Sequence, residues 1–305
     1  MKITVMIPTL NEEKSISKVV NDFTKQLPHA QIIVYDNGST DNTVKIAREE
    51  GATVFIQNKR GKGNVVRAMF NNIESDIYIM VDGDDTYAVD NIKELVEPVQ
   101  DGEADMVVGA RSNYENKSFS LSHKFGNKLL TTIINKTFNT DLKDVLSGYR
   151  VMSREFVKEM ILLSSGFEVE SELTIRSLQE GYRIKEIPIF YRARKQGSQS
   201  KLKTIHDGWN ILYTIITLFR DYNPIKFFSI FSLFFLFIGL IFGIKIVVEY
   251  ISTGLLWHVG TAIFTVLMIL LSTIIFMMGL LLSSVNNKWK ITQETVKKIL
   301  NNNIY

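Results

Sequence analysis

Hydrophobic and polar residues alternate along the first ~110 residues as a succession of short apolar runs and longer amphipathic stretches. The short runs predict strands, and the stretches between them carry apolar residues at helical spacing. Strands that alternate with helices predict an α/β domain with a parallel sheet and helices on both of its faces. The predicted strands are ITVMIPT (3–9), QIIVYD (31–36), TVFIQN (53–58), DIYIMVD (76–82) and DMVVGA (105–110).

The predicted helices of this part have recognisable ends. Ser39 or Thr40 is expected to cap the second helix, and Gly51 is expected to close it. Further along, residues 125–138 and 166–182 read as helices, and residues 184–193 read as an extended segment. The helices between the first strands are EEKSISKVVNDFTKQL (12–27), STDNTVKIAREEG (39–51), GNVVRAMFNNI (63–73) and VDNIKELVEPVQDG (89–102).

Two long apolar runs, Phe227–Tyr250 and Val259–Val285, change the pattern near the C-terminus. Each exceeds the ~20 residues that a helix needs to cross a bilayer. Two buried core helices are the alternative, but core helices are seldom apolar on every face over such a length. Lysine and arginine flank the pair of runs and are absent from the loop between them, so the positive-inside rule predicts that both ends are cytoplasmic.

These observations divide the chain into four expected parts: a cytoplasmic domain (1–203), an amphipathic juxtamembrane helix (204–224), two transmembrane helices (225–286) and a cytoplasmic tail (287–305). The amphipathic stretch is expected to lie on the membrane surface, and packing on the domain is the alternative. The N-terminus enters a strand pattern without a signal-peptide h-region, so the domain is expected to stay in the cytoplasm. The absence of cysteine excludes disulfide and thiol chemistry, and a net charge of +3 gives no argument for nucleic acid.

Three carboxylates, Asp82, Asp84 and Asp85, follow the fourth predicted strand. Asp82 and Asp84 are two positions apart with Gly83 between them, so both can reach one cation. Oxygen ligands suit Mg²⁺ or Mn²⁺, and Mg²⁺ completes its coordination shell with water and substrate phosphates. The polar loops 8–11 and 36–41 also follow strands, where such sheets bind ligands, which favours a metal–diphosphate site over a solvated acidic turn.

Motifs of other nucleotide-binding and hydrolytic folds are missing. No GxGxxG follows the first strand, and neither zinc-ligand spacing nor GxSxG is present. The segment RGKGN (60–64) is glycine-rich and basic, but it lacks the wider glycine spacing of a P-loop.

Six ordered segments resemble the motifs of family 2 glycosyltransferases, and within that family the polyprenyl-phosphate hexosyltransferases, which include dolichol-phosphate mannose synthase and bacterial GtrB-like enzymes. The resemblance covers residues 1 to about 204 and implies a GT-A (Rossmann-like) fold that binds a nucleotide sugar. The segments are VMIPTLNEE (5–13), VYDNGSTDNT (34–43), RGKGNVVRAMF (60–70), VDGDDTY (81–87), DVLSGYRVMSREF (144–156) and RARKQGSQSKL (192–202).

On the donor side, the resemblance implies that Asp82 and Asp84 bind the metal and that Lys62 faces phosphate together with Arg60. An exposed basic turn is the alternative for the two basic residues. Asn37 stands where the family often has a second carboxylate. Thr86 stands where mannose synthases have a glutamine, so a water is expected between it and the metal. The nucleotide-sugar site implied in this way comprises Pro8, Thr9, Glu12, Asp36, Gly61, Lys62, Gly63, Asp82, Gly83 and Asp85, with the two glycines letting backbone approach the nucleotide.

On the acceptor side, the resemblance implies cations that hold a lipid phosphate. Either His123 or Lys124 matches a second basic position of the family. For Arg192 and Lys195, contact with anionic lipid is an alternative to a role in the reaction. Asp144 and the segment 147–150 (SGYR) are expected to shape the sugar and acceptor site. The acceptor-phosphate residues are Arg111, His123, Lys124, Asn127, Arg194, Ser200 and Lys201, and the catalytic residues are Asp84, Arg111, Arg194 and Lys201.

The resemblance implies inverting, metal-dependent transfer of a hexose, from a UDP-sugar in preference to a GDP-sugar, to undecaprenyl phosphate for cell-envelope glycan modification. A phosphate monoester needs no general base, whereas a lipid or glycan hydroxyl acceptor would need one, with Asp85 or Asp144 as the candidates. An alternative of another class is a non-catalytic nucleotide-binding partner of a translocase. The expected partners are the membrane, a downstream flippase and a second copy of the chain, for which the small-residue pattern of Gly239 and Gly243 is the only support.

Overall fold

The computed structural model describes residues 1–114, 121–192, 213, 216–217, 219–221 and 223–302 of the chain. Contacts between Cα atoms divide it into two compact units, residues 1–215 and residues 216–305. The first unit contains all the described strands, and the second unit contains two long helices.

A mixed sheet of seven strands forms the centre of the first unit, and its strands are β1 (Ile3–Thr9), β2 (Gln31–Asp36), β3 (Thr53–Ile56), β4 (Ile77–Met80), β5 (Met106–Tyr114), β6 (Arg150–Ser153) and β7 (Ile184–Tyr191). The strand order is β3-β2-β1-β4-β6-β5-β7, and the first four strands in this order are parallel, as predicted. Strand β6 is antiparallel to both of its neighbours, so the prediction of a parallel sheet was wrong at this strand. Only two of its four residues, Val151 and Met152, are apolar, whereas all four residues of β4 are, which is why the pattern did not predict β6.

Helices cover both faces of this sheet: α1 (Ile16–Gln26), α2 (Thr43–Glu49), α3 (Lys62–Asn72), α4 (Ile92–Gln100), α5 (Leu121–Phe138), α6 (Arg154–Glu159) and α7 (Val169–Glu180). Alternate residues of β1 face two different cores. Val5 and Ile7 pack with residues of α1 and α4, and Met6 packs with residues of α3, α6 and α7. This alternation follows from the two-residue period of a strand and confirms the predicted three-layer arrangement.

Helix α2 starts later than predicted, because the expected caps serve another purpose. The Asp41 carboxylate accepts a hydrogen bond from the backbone N–H of Thr43 (3.0 Å) at the start of the helix. The Ser39 hydroxyl instead accepts from the backbone N–H of Asn11 (2.8 Å), and the Thr40 N–H donates to the Asn11 side chain (2.8 Å). The predicted caps therefore tie together the loops after β1 and β2.

The loops after β1, β2 and β4 meet at one edge of the sheet, as predicted. Thr9 and Asp36 are partners in register at the ends of β1 and β2, and the N–H of Asn37 donates to the Thr9 carbonyl (2.9 Å). The N–H of Val81, directly after β4, donates to the carbonyl of Met6 (3.1 Å). The polar residues that follow these strands are thereby held close together.

The second unit contains a first C-terminal helix (Pro224–Thr253) and a second C-terminal helix (Val259–Asn302). Both are long and apolar enough to cross a membrane, and an 18-residue stretch within each has a mean hydropathy of 2.6. Only 11% of this stretch is buried in the first C-terminal helix, and only 17% in the second. Largely exposed apolar surfaces favour membrane spans over the alternative of buried core helices.

Small residues let the two C-terminal helices approach each other. A Cβ on Gly239 would lie 2.9 Å from Cγ1 of Ile269, and a Cβ on Gly243 would lie 3.2 Å from Cγ2 of Thr265. The Gly239 and Gly243 pattern, predicted to support association between chains, is therefore used inside one chain. It gives no support for an oligomer.

Candidate active site

The three carboxylates after β4 have separate partners. Asp82 pairs with Lys62, and Asp85 pairs with Lys18, whose Nζ lies 2.8 Å from Asp85 Oδ1. Asp84 is buried, and its Oδ1 accepts hydrogen bonds from the hydroxyl (2.6 Å) and the N–H (3.2 Å) of Thr86. The Thr86 hydroxyl, predicted to face the metal through a water, thus orients Asp84 instead. Each carboxylate has a positive or hydrogen-bonding partner, which offsets the repulsion among them.

Lys62, at the start of α3, bridges two carboxylates. Its Nζ lies 2.5 Å from Asp82 Oδ1 and 2.5 Å from Glu170 Oε1. Burial lowers the pKa of Lys62, but the charges of Asp82 and Glu170 outweigh it and raise the pKa well above its ordinary value. Lys62 was predicted to face phosphate, whereas the structure places it on the metal-side carboxylate. Glu170 was missed because it lies in α7, far along the chain, and belongs to no motif.

Gly61 and Gly63 lie against the loop before α7. A Cβ on Gly61 would lie 2.1 Å from the Ser165 carbonyl oxygen, and a Cβ on Gly63 would lie 2.3 Å from that of Ser164. The N–H of Gly63 also donates to the carbonyl of Gly166 (3.1 Å). Both glycines are therefore required for close backbone packing against residues 164–166, and their approach to a nucleotide stays a prediction.

This contact gives a testable prediction. The variant Gly61→Ala should lower the free energy of unfolding of the protein by about 2–4 kcal/mol, because the new Cβ adds a clash to the strain of a positive φ. Gly51→Ala is the matched control, since Gly51 also has a positive φ but a Cβ added there would meet nothing within 4 Å. Chemical denaturation of both variants measures the difference, and equal losses would contradict the packing.

Asp36 and Asn37 organise the loop after β2. Oδ2 of Asp36 accepts from the N–H groups of Gly38 (2.9 Å) and Ser39 (2.8 Å). The Asn37 amide donates to the carbonyls of Gln57 (2.8 Å) and Lys59 (2.9 Å), and its oxygen accepts from the N–H of Gly61 (2.7 Å). A carboxylate cannot donate, so the asparagine that replaces the family's second carboxylate joins the loops after β2 and β3.

Pro8, Thr9 and Glu12 lie at the same edge of the sheet, as predicted. Thr9 packs against Gly83, where a Cβ would lie 2.7 Å from the Thr9 Cγ2 atom. The N–H of Glu12 donates to the hydroxyl of Thr43 (2.7 Å). Gly83 is therefore required for packing between the loops, in addition to separating two carboxylates.

Arg111, within β5, is held by Asp144. Its Nε lies 2.6 Å from Oδ2 and its Nη2 lies 2.7 Å from Oδ1 of Asp144, which also accepts from the Asn127 amide (3.1 Å). The guanidinium lies 5.4 Å from the ring centroid of Tyr191. Burial raises the pKa of Asp144, but the hydrogen bonds and charge of Arg111 outweigh it and hold the pKa below its ordinary value. Two of the predicted acceptor residues are thus brought together around one carboxylate.

The SGYR segment contacts the carboxylate that was predicted to bind metal. A Cβ on Gly148 would lie 2.6 Å from Asp82 Oδ2, and the Gly148 N–H donates to the hydroxyl of Tyr87 (2.9 Å). Arg150 is fully buried and donates to the carbonyls of Ser147 (3.0 Å) and Glu170 (2.8 Å). Burial lowers the pKa of Arg150 to about 10. Arg150 thereby joins the backbone of the SGYR segment to α7.

Several predicted residues lie outside the described part of the structure. Arg194, Lys195, Ser200 and Lys201 are not described, and neither are the side chains of His123 and Lys124. Arg192 is described, and its Nη1 lies 3.4 Å from Asp85 Oδ1. The Arg192 pair shows that the basic segment begins beside the carboxylate loop.

The small number of carboxylates limits the kind of metal site that Asp82 and Asp84 could form. Within the described ranges, no group of three or more His, Cys, Asp or Glu residues could enclose a metal ion. Two aspartate carboxylates suit a hard cation that completes its shell with water and phosphate oxygens. The residues therefore fit a metal that arrives with a diphosphate, and they do not fit a permanent structural metal.

Comparison with known proteins identifies the family. Residues 4–161 match the sequence profile of Glycosyl transferase family 2. Glycosyltransferase AglJ of Haloferax volcanii is 31% identical over 229 residues, which cover 74% of this chain and 75% of that protein. Dolichyl-phosphate hexose transferase of the same organism is 28% identical over 214 residues, which cover 70% of this chain and 92% of that protein.

The fold matches solved structures as well. Glucosyl-3-phosphoglycerate synthase from Mycobacterium tuberculosis, in complex with Mn²⁺ and uridine-diphosphate-glucose, aligns with a TM-score of 0.59 at 22% identity, over 71% of this chain and 78% of that chain. At this identity the likeness concerns the fold alone, and it confirms the predicted GT-A architecture. The ordered motifs, the family profile and the relatives agree: this chain belongs to glycosyl transferase family 2 and is a glycosyltransferase.

Proposed function

We propose that the chain transfers a hexose from a nucleotide sugar, with a UDP-sugar as the favoured donor, to a polyprenyl phosphate such as undecaprenyl phosphate. The proposed reaction inverts the anomeric centre, depends on Mg²⁺ or Mn²⁺, and yields a polyprenyl-phosphate sugar for cell-envelope glycans. The observation that favours a phosphate acceptor is that both candidate general bases, Asp85 and Asp144, are paired with cations.

Both candidate bases are already paired with cations. Asp144 accepts from Arg111 and Asn127, and its pKa lies below the ordinary value. Asp85 is paired with Lys18 and Arg192. Asp144, stabilised in this way, is a weak proton acceptor, and Asp85 is engaged by two cations, so an acceptor hydroxyl would lack an effective base. An acceptor phosphate is already anionic near neutral pH and needs none.

The relatives support the same acceptor class. Two of them carry names that state a lipid-phosphate acceptor: the dolichyl-phosphate hexose transferase already described and a dolichol-phosphate mannosyltransferase of Pyrococcus furiosus, 25% identical over 245 residues. The structure with the same fold was solved with Mn²⁺ and uridine-diphosphate-glucose, which are of the metal and donor classes proposed here. Membership of an enzyme family sets aside the non-catalytic alternative.

The mechanism assigns separate tasks to the residues of this chain. Asp82 and Asp84 would hold the Mg²⁺ or Mn²⁺, which when bound supplies charge neutralisation for the leaving diphosphate. The loops joined by Asp36 and Asn37 would seat the nucleoside. Arg111, together with Arg194 and Lys201, would hold the lipid phosphate against its repulsion by the donor. With an α-linked donor, inversion gives a β-linked product.

The two apolar helices would anchor the enzyme in the plasma membrane. The positive-inside rule then puts the catalytic domain and both termini in the cytoplasm, where nucleotide sugars are available. A flippase would be needed to move the product across the membrane, because a charged sugar phosphate does not cross the apolar core.

The acceptor class is tested with a matched pair of lipids. We expect transfer to a polyprenyl phosphate to be about a hundred-fold or more faster than transfer to the alcohol of the same chain length, because the site lacks an effective base. Product formation by the purified full chain, measured with one donor and both lipids, gives this ratio. Equal or faster transfer to the alcohol would favour the hydroxyl-acceptor alternative instead.

A further inference from the structure

Lys62 pairs with Asp82, one of the two aspartates proposed to bind the metal. Its Nζ contacts both Asp82 and Glu170, and the Lys62 and Glu170 side chains are only 11% and 6% exposed. Water therefore screens these charges weakly, and the ammonium competes directly with any other cation for the Asp82 carboxylate.

Glu170 makes this competition reversible. If Lys62 left Asp82, its ammonium would still be paired, so no buried charge would be left uncompensated. The backbone of Glu170 is fixed by Arg150, whose Nη2 donates to the Glu170 carbonyl (2.8 Å). Asp82 thus belongs to the predicted metal-binding pair, whereas Glu170 lies on helix α7, which Arg150 anchors separately.

We propose that Lys62 is an internal counter-ion of Asp82 that a divalent cation must displace, and that Glu170 retains the displaced ammonium. This inference rests on the proposed function, because it takes Asp82 as a metal ligand. The exchange makes binding of the metal alone weak. Diphosphate oxygens supply the additional ligands that favour the exchange, so metal and nucleotide bind together.

Direct measurement of metal binding tests the exchange without using activity. Free Mn²⁺ is quantified by electron paramagnetic resonance with the purified full chain, in the absence and presence of UDP or GDP. The double variant Lys62→Met/Glu170→Gln removes one positive and one negative charge, so the local net charge is unchanged. We expect it to bind Mn²⁺ at least about ten-fold tighter than wild type without nucleotide, equivalent to about 1.4 kcal/mol.

The single variant Glu170→Gln should act in the opposite direction. It leaves Lys62 with Asp82 alone, so Mn²⁺ binding without nucleotide should weaken about ten-fold. Damage to the site would weaken binding in both variants, and the opposite signs separate the exchange from such damage. Asp82→Asn added to the double variant should abolish the gain. Lys45→Met is the charge control, because Lys45 pairs with Glu49 and both side chains are exposed (73% and 63%), and it should change Mn²⁺ affinity by less than about three-fold.

Two results would overturn the inference. The first is that wild type binds Mn²⁺ in the presence of UDP or GDP, but the double variant binds Mn²⁺ no tighter than wild type without nucleotide. The proposed function would survive this result. The other is no Mn²⁺ binding by wild type with either nucleotide, which would also remove the metal from the proposed function. If the double variant does not fold, Glu170→Gln decides alone, and unchanged or tighter Mn²⁺ binding by that variant contradicts the exchange.

Discussion

The double variant Asp82→Asn/Asp84→Asn is expected to lose sugar transfer by a factor of at least about 10³, or about 4 kcal/mol of transition-state stabilisation. The two carboxylates are the proposed metal ligands, and a neutral amide is a poor ligand for a hard cation. The fold should survive, because Lys62 keeps its contact with Glu170 and an asparagine at position 84 can still accept from Thr86.

Steady-state transfer at several Mg²⁺ or Mn²⁺ concentrations measures this loss. Asp90→Asn is the matched control, since the Asp90 side chain is 74% exposed and its ion pair with Arg192 is long (3.7 Å), so the activity of this variant should equal that of wild type. Full metal-dependent activity in the double variant would remove Asp82 and Asp84 from the mechanism.

The largest effect on stability is expected at the Arg111–Asp144 pair. The variant Asp144→Asn should lower the free energy of unfolding by about 3–5 kcal/mol, because it leaves the Arg111 guanidinium buried without its counter-charge. The two side chains are 9% and 3% exposed, so water cannot replace the lost partner. Chemical denaturation followed by circular dichroism measures the change.

The chain contains a control with the same chemistry. Arg183 and Asp105 form a similar two-point ion pair (3.1 Å and 2.7 Å), but their side chains are 58% and 20% exposed. Asp105→Asn should therefore cost about 1 kcal/mol or less. If Asp144→Asn and Asp105→Asn cost the same, burial does not control the Arg111 pair, and its assignment as a rigid phosphate ligand loses its support.

The sequence pattern predicted the layers of the fold well, because strands β1, β2 and β4 are apolar runs and the helices between them have clear periods. It failed at β6, in which only two of four residues are apolar and which pairs in the opposite direction. It also misplaced the start of α2, because Ser39 and Thr40 satisfy groups of a neighbouring loop rather than the helix end. Local patterns carry information about local hydrogen bonds, and these two features depend on residues elsewhere in the chain.

The candidate site likewise has a part that the sequence pattern predicted and a part that it did not. The edge of the sheet that holds Asp36, Asp82 and Asp84 follows from strand ends alone. The partners of these residues do not, since Glu170 and the carbonyls of residues 164–165 approach the site from a segment about a hundred residues later. The sequence pattern also did not show that Gly239 and Gly243 pack against the second C-terminal helix of the same chain, which is why self-association was predicted.

The mass of the lipid product tests the central claim most directly. The purified full chain is incubated with undecaprenyl phosphate, Mg²⁺ or Mn²⁺, and a panel of UDP- and GDP-hexoses, and the lipid fraction is analysed by mass spectrometry. We predict a single new species, undecaprenyl phosphate carrying one hexosyl group, formed with a UDP-hexose and absent with the Asp82→Asn/Asp84→Asn variant. No hexosylated lipid phosphate with any donor, or the same product from the double variant, would contradict the account.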